Sequence, residues 1–198
     1  SSDEIWVKTD MDSTTSIWVD YDGIRSDHAV TDTYGRNAVW TDYGGVFHMG
    51  ESSGSAINSS GIANGTYGGN LPNQVTGFIG NSQGFLGGTD QVNVSGDSAY
   101  ALETFTISTT FRKSGSDGES LQVLTNNNRN DLSSSSTRNW WIVLDNTFAD
   151  NGAIWFRVGD GSSIIIDIKI TDADYRDGDW HTVDLVVDSV NGEAFAYI

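Results

Sequence analysis

Four aspartates, a tryptophan and a histidine surround one glycine in the stretch TDADYRDGDWHT, residues 171–182. Closely spaced carboxylates can hold calcium, and a carboxylate near a histidine can take part in acid–base catalysis. An EF-hand loop needs oxygen ligands at alternate positions and a glutamate near its end. Asp172 and Asp174 are correctly spaced, but Asp177 is out of step and no glutamate follows. The stretch is therefore not an EF-hand.

The same residues are compatible with a turn that leads into a β-strand. Asp177 and Gly178 form a pair that tolerates left-handed backbone conformations. In the strand that follows, we expect Trp180 on the core face and His181 facing outward. We prefer this structural interpretation to a catalytic one, because Asp-Gly pairs commonly connect strands.

The acidic residues do not form the carboxylate pair of a glycosidase. Such enzymes need two acids that flank the scissile bond, placed on one face of a strand. No glutamate has a second acid two residues away within a strand, and the close aspartate pairs flank turns. The isolated glutamates are Glu4, Glu51, Glu103, Glu119 and Glu193. We therefore expect a protein that is not an enzyme.

Seven tryptophans give the chain many surfaces that could stack on sugars. Five of them lie in strand patterns or core-like positions and have an explanation in the core: Trp6, Trp18, Trp40, Trp155 and Trp180. The neighbours Trp140 and Trp141 must point to opposite faces of a strand, so one of them is expected to be exposed beside the polar loop 126–139. That loop is the predicted ligand rim, because loops at the ends of sandwiches carry binding sites. The candidate ligand-binding residues are Asn126, Asn127, Asn128, Arg129, Asp131, Trp140 and Trp141.

The net negative charge of the chain disfavours two classes of binding partner. The 198 residues include 10 Lys and Arg against 27 Asp and Glu, a formal net charge of -17. Such a chain repels phosphate backbones and anionic lipid headgroups, so we expect neither nucleic acid nor membrane as a partner. The sequence has no apolar run long enough for a membrane helix, and its first ten residues lack the features of a signal peptide. Any export signal or anchor is expected outside this fragment.

Short β-branched and aromatic runs between Gly, Asn, Asp and Ser predict an antiparallel all-β sandwich. We expect type I′ turns at Asp160-Gly161 and Asn191-Gly192. The predicted strands are 4–9, 15–21, 37–43, 90–94, 104–112, 120–124, 139–145, 153–158, 163–170, 181–187 and 193–198.

Two phrases resemble a known family. Residues 75–112 carry Gly77, Gly80, Phe85 and Gly87 followed by FTIS, and residues 177–198 carry DGDWHTV, a hairpin and a tyrosine strand. Both are similar to the laminin-G-like jelly roll of the concanavalin A-like lectin and glucanase superfamily. The earlier IWVDYDG, residues 17–23, resembles the end of a domain of unknown function that often precedes such jelly rolls in bacterial surface proteins.

The resemblance implies a fold and a domain organisation. The fold is an all-β, antiparallel two-sheet jelly-roll sandwich of the concanavalin-like kind, with an N-terminal β appendage. The expected parts are an N-terminal β segment (1–49), a polar linker (50–74) and a jelly roll (75–198). The family continues beyond the tyrosine strand, whereas this chain stops at Ile198. The sheet is therefore expected to be truncated, or completed by residues 1–49 or by a neighbour, and its edges invite self-association.

Calcium is the one cofactor that the resemblance suggests, since jelly rolls of this superfamily often hold a cation between separated loops. The candidate ligands are Asp90, Asp97, Asp177 and Asp179. Ordinary solvated carboxylates at turns are the competing interpretation, and we prefer it.

The resemblance favours a secreted or cell-surface adhesion module that binds carbohydrate or another surface protein without catalysis. A structural subunit of a fibre, stalk or sheath is the alternative. A glycoside hydrolase is the least favoured role. The same sandwich hosts all three, so fold alone does not decide among them.

Overall fold

The computed structural model describes residues 28–29, 31–33, 35–95, 104–115, 121–126, 139–145, 152–159, 163–188 and 190–198. Within these ranges the chain is all-β apart from one helix of four residues. The elements are α1 (Arg36–Val39), β1 (Gly65–Gly68), β2 (Gln74–Thr76), β3 (Asn81–Gln83), β4 (Gln91–Val94), β5 (Thr104–Ser114), β6 (Leu121–Asn126), β7 (Asn139–Asp145), β8 (Ile154–Gly159), β9 (Ile164–Ile170), β10 (Asp177–Asp188) and β11 (Glu193–Tyr197). The all-β prediction is confirmed.

The first part of the chain differs from expectation at α1. A strand was predicted over residues 37–43, but the backbone forms short-range hydrogen bonds there instead, from Ala38 to Gly35 and from Trp40 to Asn37. Trp40 then packs against the ring of Tyr43, with 5.2 Å between centroids. Since the backbone groups are satisfied locally, no partner strand is needed, and the strand prediction is wrong. The predicted strands 4–9 and 15–21 lie outside the described residues.

The chain divides into two compact units, residues 1–95 and 96–198. In the first unit β1 pairs antiparallel with β4, and β2 forms a hairpin with β3. Buried polar groups hold this unit together: the Asn58 carboxamide oxygen accepts hydrogen bonds from the Val46 amide (2.9 Å) and the Ser60 hydroxyl (2.8 Å). The predicted limits 1–49, 50–74 and 75–198 do not coincide with this division and stay a prediction.

The second unit is a β-sandwich-like pair of antiparallel sheets. One sheet has the strand order β11-β10-β5, and the other has the order β6-β7-β8-β9. Their inner faces meet in one apolar cluster, in which Phe156 of β8 and Leu185 of β10 are completely buried. Burial of these alternating side chains is the main stabilising term for the unit. Residues 139–145 form β7 with the predicted bounds.

The beginning of β10 sets which side chains face the core. The pairing with β5 is irregular between Asp177 and Trp180, and Gly178 has a φ of 92°, so the predicted turn residues make a bulge. Beyond the bulge, Val183 is buried and His181 lies on the same inner face, against Phe111 at 5.7 Å. Trp180 lies on the outer face. The expected orientations of Trp180 and His181 were wrong, because a shift of one residue exchanges the two faces of a strand.

The turn between β10 and β11 also differs from the expected type I′ geometry. That turn needs positive φ at both central residues, but of the pair only Gly192 has it, at 71°. The strands join at the pair Asp188 and Glu193, so the connection has four residues. The Asp188 carboxylate closes it by accepting the Val190 amide at 3.1 Å. The expected turn at Asp160-Gly161 lies outside the described residues.

An ion pair between a buried arginine and a half-exposed aspartate fixes the segment before β10. Arg176 is 8% exposed and binds Asp174 through two contacts, Nε to Oδ1 at 2.8 Å and Nη2 to Oδ2 at 2.9 Å. Gly152, at φ 75°, lies against this pair, because a Cβ there would overlap Asp174 Oδ1 and come within 2.7 Å of Arg176 Nε. Removal of Asp174 is expected to destabilise this segment, because the buried Arg176 would be left without its counter-charge.

The described part of the chain contains no helix that is long and apolar enough to cross a membrane.

Candidate functional site

The outward face of the three-stranded sheet is open to solvent and rich in hydroxyl groups. β5 alternates strictly between exposed and half-buried residues, because its other face packs on the core. We call this surface the threonine face. Its residues are Thr104, Thr106, Ser108, Thr110 and Arg112 of β5, Trp180, Thr182, Asp184, Val186 and Asp188 of β10, and Glu193, Phe195 and Tyr197 of β11.

Two large aromatic side chains stand exposed on the threonine face. Phe195 is 45% exposed and Tyr197 is 55% exposed, whereas the small residues Ala194 and Ala196 occupy the inward positions of the same strand. This is the reverse of what core packing favours, because the larger apolar side chains gain more from burial. An exposed aromatic pair on a sheet face is typical of a binding surface.

The strand register places carboxylates around these aromatic residues. Tyr197 is paired with Asp184, Phe195 with Val186, and Glu193 with Asp188. Side chains that are directly opposite share a face and lie about 4.5–5.5 Å apart at Cβ. We call these six residues the aromatic–carboxylate block: Asp184, Val186, Asp188, Glu193, Phe195 and Tyr197. Apolar surface at its centre is therefore flanked by acids at both ends.

Hydroxyl groups extend the threonine face away from the block. The side-chain oxygens of Thr110 and Thr182 lie 2.9 Å apart and are hydrogen-bonded across the two strands. Farther along, the Arg112 guanidinium lies 4.9 Å from the ring centroid of Trp180. Exposed hydroxyls can both donate and accept, so this row can exchange hydrogen bonds with a polyhydroxylated ligand.

The Asp188 carboxylate accepts hydrogen bonds from residues of the turn that follows β10. Its Oδ1 accepts the Val190 and Asn191 amides, and its Oδ2 accepts the Asn191 side-chain amide at 2.7 Å. These hydrogen bonds, with the Asn191 side chain first, hold the pKa of Asp188 below its ordinary value. Asp188 therefore stays an anion on this surface.

The other outward face, on the four-stranded sheet, carries what we call the tryptophan patch: Trp141, Trp155, Arg157, Asp167 and Lys169. The rings of Trp141 and Trp155 are 5.8 Å apart and tilted by 35°. The Arg157 guanidinium lies 3.5 Å from the Trp155 centroid, and the Trp155 indole N–H donates to Asp167. Cations stacked on tryptophan are attracted by the ring quadrupole.

The tryptophan patch covers the sheet rather than presenting an open platform. Val143, which pairs with Trp155 on this face, is completely buried. Lys169 lies 4.9 Å from the Trp155 centroid and also binds the buried Asp145 carboxylate at 3.0 Å. Since two cations already stack on Trp155, a sugar would have to displace one of them. Trp155 was expected in the core, and it contributes a packing layer on the outer side of the sheet.

The predicted ligand rim is described only in part. Trp140 faces inward and lies 6.3 Å from the ring of Phe105, while Trp141 faces outward in the tryptophan patch, so the two do lie on opposite faces. Asn126 is the last residue of β6. Asn127, Asn128, Arg129 and Asp131 lie outside the described residues, and their role in binding stays a prediction.

Two of the predicted calcium ligands, Asp90 and Asp177, are engaged by hydrogen-bond donors. Asp90 accepts the Asn70 amide at 2.6 Å and the Leu86 amide at 2.8 Å, and the Asn70 amide is the main cause of its lowered pKa. Asp177 accepts the Asp179 amide at 2.8 Å, and Asp177 Oδ1 lies 3.0 Å from His181 Nε2.

The contact with His181 is the main cause of the lowered pKa of Asp177, and Asp179 is exposed. Asp97 lies outside the described residues. Among the residues that are described, no three His, Cys, Asp or Glu side chains are placed to hold a metal ion. Calcium binding stays a prediction.

The threonine face was missed in the sequence, although a signal was present. In EAFAYI the alternate positions are alanine on one side and aromatic on the other. When the alanines face the core, the aromatic residues must face solvent.

Comparison with protein-family models, with curated proteins and with solved structures gives no match to this chain. The resemblance to the laminin-G-like jelly roll therefore stays a prediction.

Proposed function

We propose that this chain is a non-catalytic binding module of a secreted or cell-surface protein, built on a jelly-roll sandwich of the laminin-G-like type, and that it binds carbohydrate on the threonine face. The observation that carries the proposal is the exposed pair Phe195 and Tyr197 beside a row of exposed hydroxyls on the neighbouring strands.

The chemistry of the threonine face suits a sugar chain. Aromatic rings pack against the apolar C–H faces of sugar rings, and hydroxyls and carboxylates bind the sugar hydroxyls. From Thr104 to Arg112 the face is about 26 Å long at the usual rise of a strand. A surface of this length accommodates several sugar units of an extended chain, each with weak contacts that add up.

The carboxylates of the threonine face favour binding without hydrolysis. Asp184 and Asp188 are four residues apart along β10, about 13 Å at the usual rise, which exceeds the spacing of roughly 5–9.5 Å found in glycosidases. Glu193 is closer to Asp188, but both oxygens of Asp188 are engaged in the turn. Asp188 is therefore not free to attack a sugar or to activate water.

The overall charge is in keeping with this class of ligand. A net charge of -17 opposes binding to nucleic acid and to anionic membranes but does not oppose binding to neutral glycans. The alternative is a structural subunit that associates through strand edges; β11 lies at one edge of the three-stranded sheet among the described strands.

A glycan array probed with the intact chain tests the proposal, with release of reducing sugar measured on the same glycans. We expect binding to at least one class of oligosaccharide and no release. Absence of binding to every glycan, together with concentration-dependent association of the chain with itself, would contradict carbohydrate binding and favour the structural subunit.

A further inference from the structure

The aromatic–carboxylate block has a marked excess of negative charge. Asp184, Asp188 and Glu193 lie around Phe195 and Tyr197, and the block contains no basic residue. On the rest of the threonine face the basic side chain is Arg112, four residues along from the position opposite Asp184 and stacked on Trp180. The carboxylates of the block are thus not neutralised by other residues of this face.

An aromatic ring beside a carboxylate is a chemical signature for an organic ammonium group. The ring attracts the cation through its quadrupole, and the carboxylate forms a charge-assisted hydrogen bond with it. Tyr197 and Asp184 are directly opposite, so one ammonium group can meet both. A ligand bearing sulfate or carboxylate groups would instead be repelled, since like charges brought together cost binding free energy.

We propose that the aromatic–carboxylate block selects glycans that carry free amino groups, such as oligomers of glucosamine. This inference rests on the proposed function and adds the substrate class. A glycan is favoured over a basic peptide because the hydroxyl row of Thr104, Thr106 and Ser108 runs alongside the block and offers partners for sugar hydroxyls.

Calorimetric titration with two hexamers tests the inference, one of glucosamine and one of N-acetylglucosamine. They have the same length, but the first carries amino groups that are protonated at about pH 5.5 and the second carries neutral acetamide groups. We expect the glucosamine hexamer to bind about tenfold tighter, which is the affinity difference that one charge-assisted hydrogen bond provides. In about 1 M salt we expect the two affinities to become equal.

Two variants of equal charge complete the test. Asp184→Asn removes the carboxylate beside Tyr197, whereas Asp42→Asn removes an exposed carboxylate of the first unit. We expect the preference for the amine to disappear in Asp184→Asn and to persist in Asp42→Asn. Equal loss in both variants would show that general charge attraction is responsible, and it would overturn the inference.

The remaining outcomes separate this inference from the proposed function. Equal affinity for the two hexamers would overturn amine selection and leave carbohydrate binding standing. Failure of the chain to bind either hexamer or any neutral glycan would overturn carbohydrate binding itself. Tighter binding to a lysine hexamer than to the glucosamine hexamer would overturn the inference in favour of a basic peptide.

Discussion

Tyr197 lies directly opposite Asp184 on the outward face of the three-stranded sheet, and the residue is 55% exposed. The core does not account for this position, because Ala196 supplies the neighbouring inward contact. An aromatic side chain held by a regular strand pair is positioned without loop flexibility, which lowers the entropy cost of binding. The same sheet that buries Leu185 thus presents a preformed aromatic surface to solvent.

The tryptophan patch is expected to contribute to stability and not to binding. Trp155→Ala removes the ring that stacks with Arg157 and covers Val143. We expect the free energy of unfolding to fall by about 2–3 kcal/mol, below the range for fully buried tryptophans because this ring is only half-buried. Urea unfolding followed by circular dichroism measures the change. Loss of glycan affinity with unchanged stability would place the binding site on the tryptophan patch instead.

Replacement of Gly152 by alanine is expected to destabilise the chain far more than replacement of Gly192. Both have positive φ, at 75° and 71°, so alanine is strained at either site. At Gly152 the new Cβ also overlaps the pair of Asp174 and Arg176, whereas at Gly192 it meets nothing within 4 Å. We expect a loss of about 3 kcal/mol or more for Gly152→Ala and about 1 kcal/mol for Gly192→Ala. Similar urea midpoints for the two variants would contradict the close packing at Gly152.

Low pH should reduce the contribution of Asp174 to the stability of the folded chain. The hydrogen bond from Arg176 lowers the pKa of Asp174 in the folded chain, below the unfolded value of about 3.9. The stabilisation is therefore complete above the unfolded pKa and is lost as pH falls through the folded pKa. We expect Asp174→Asn to be less stable than the native chain at pH 6 and the difference to shrink below about pH 4.

Urea unfolding at a series of pH values measures this difference. The Arg176→Gln background is the control, since Asp174→Asn should no longer change the acid dependence there. A difference that stays constant from pH 6 to pH 2 would exclude a role for the ionised Asp174.

The strands of the second unit can be predicted from the sequence. Their side chains alternate between the core and solvent, and the residue types alternate with them. β7 has its predicted bounds, and β5 alternates as expected. Two errors have a local cause. The helix α1 forms because short-range hydrogen bonds satisfy its backbone. At β10 the bulge after Asp177 shifts the register, and neighbouring side chains exchange faces.

The candidate site was harder to predict than the strands. The number of tryptophans pointed to Trp141 and the loop beside it, whereas the exposed aromatic residues in the described part of the second unit are Phe195 and Tyr197. Their proximity to Asp184 depends on the pairing of β10 with β11, which is a property of the hairpin register. The register depends on the turn, and the turn has four residues instead of the expected two-residue type I′ loop.

The most direct test of carbohydrate binding is calorimetric titration of the native chain, Tyr197→Ala and Tyr43→Ala with an oligosaccharide that the array identifies. Tyr43 is the matched control, since it is 54% exposed and belongs to the first unit. We expect Tyr197→Ala to weaken binding by about tenfold or more, as loss of a stacking ring does, and Tyr43→Ala to leave the affinity unchanged. Native affinity in Tyr197→Ala would contradict binding on the threonine face.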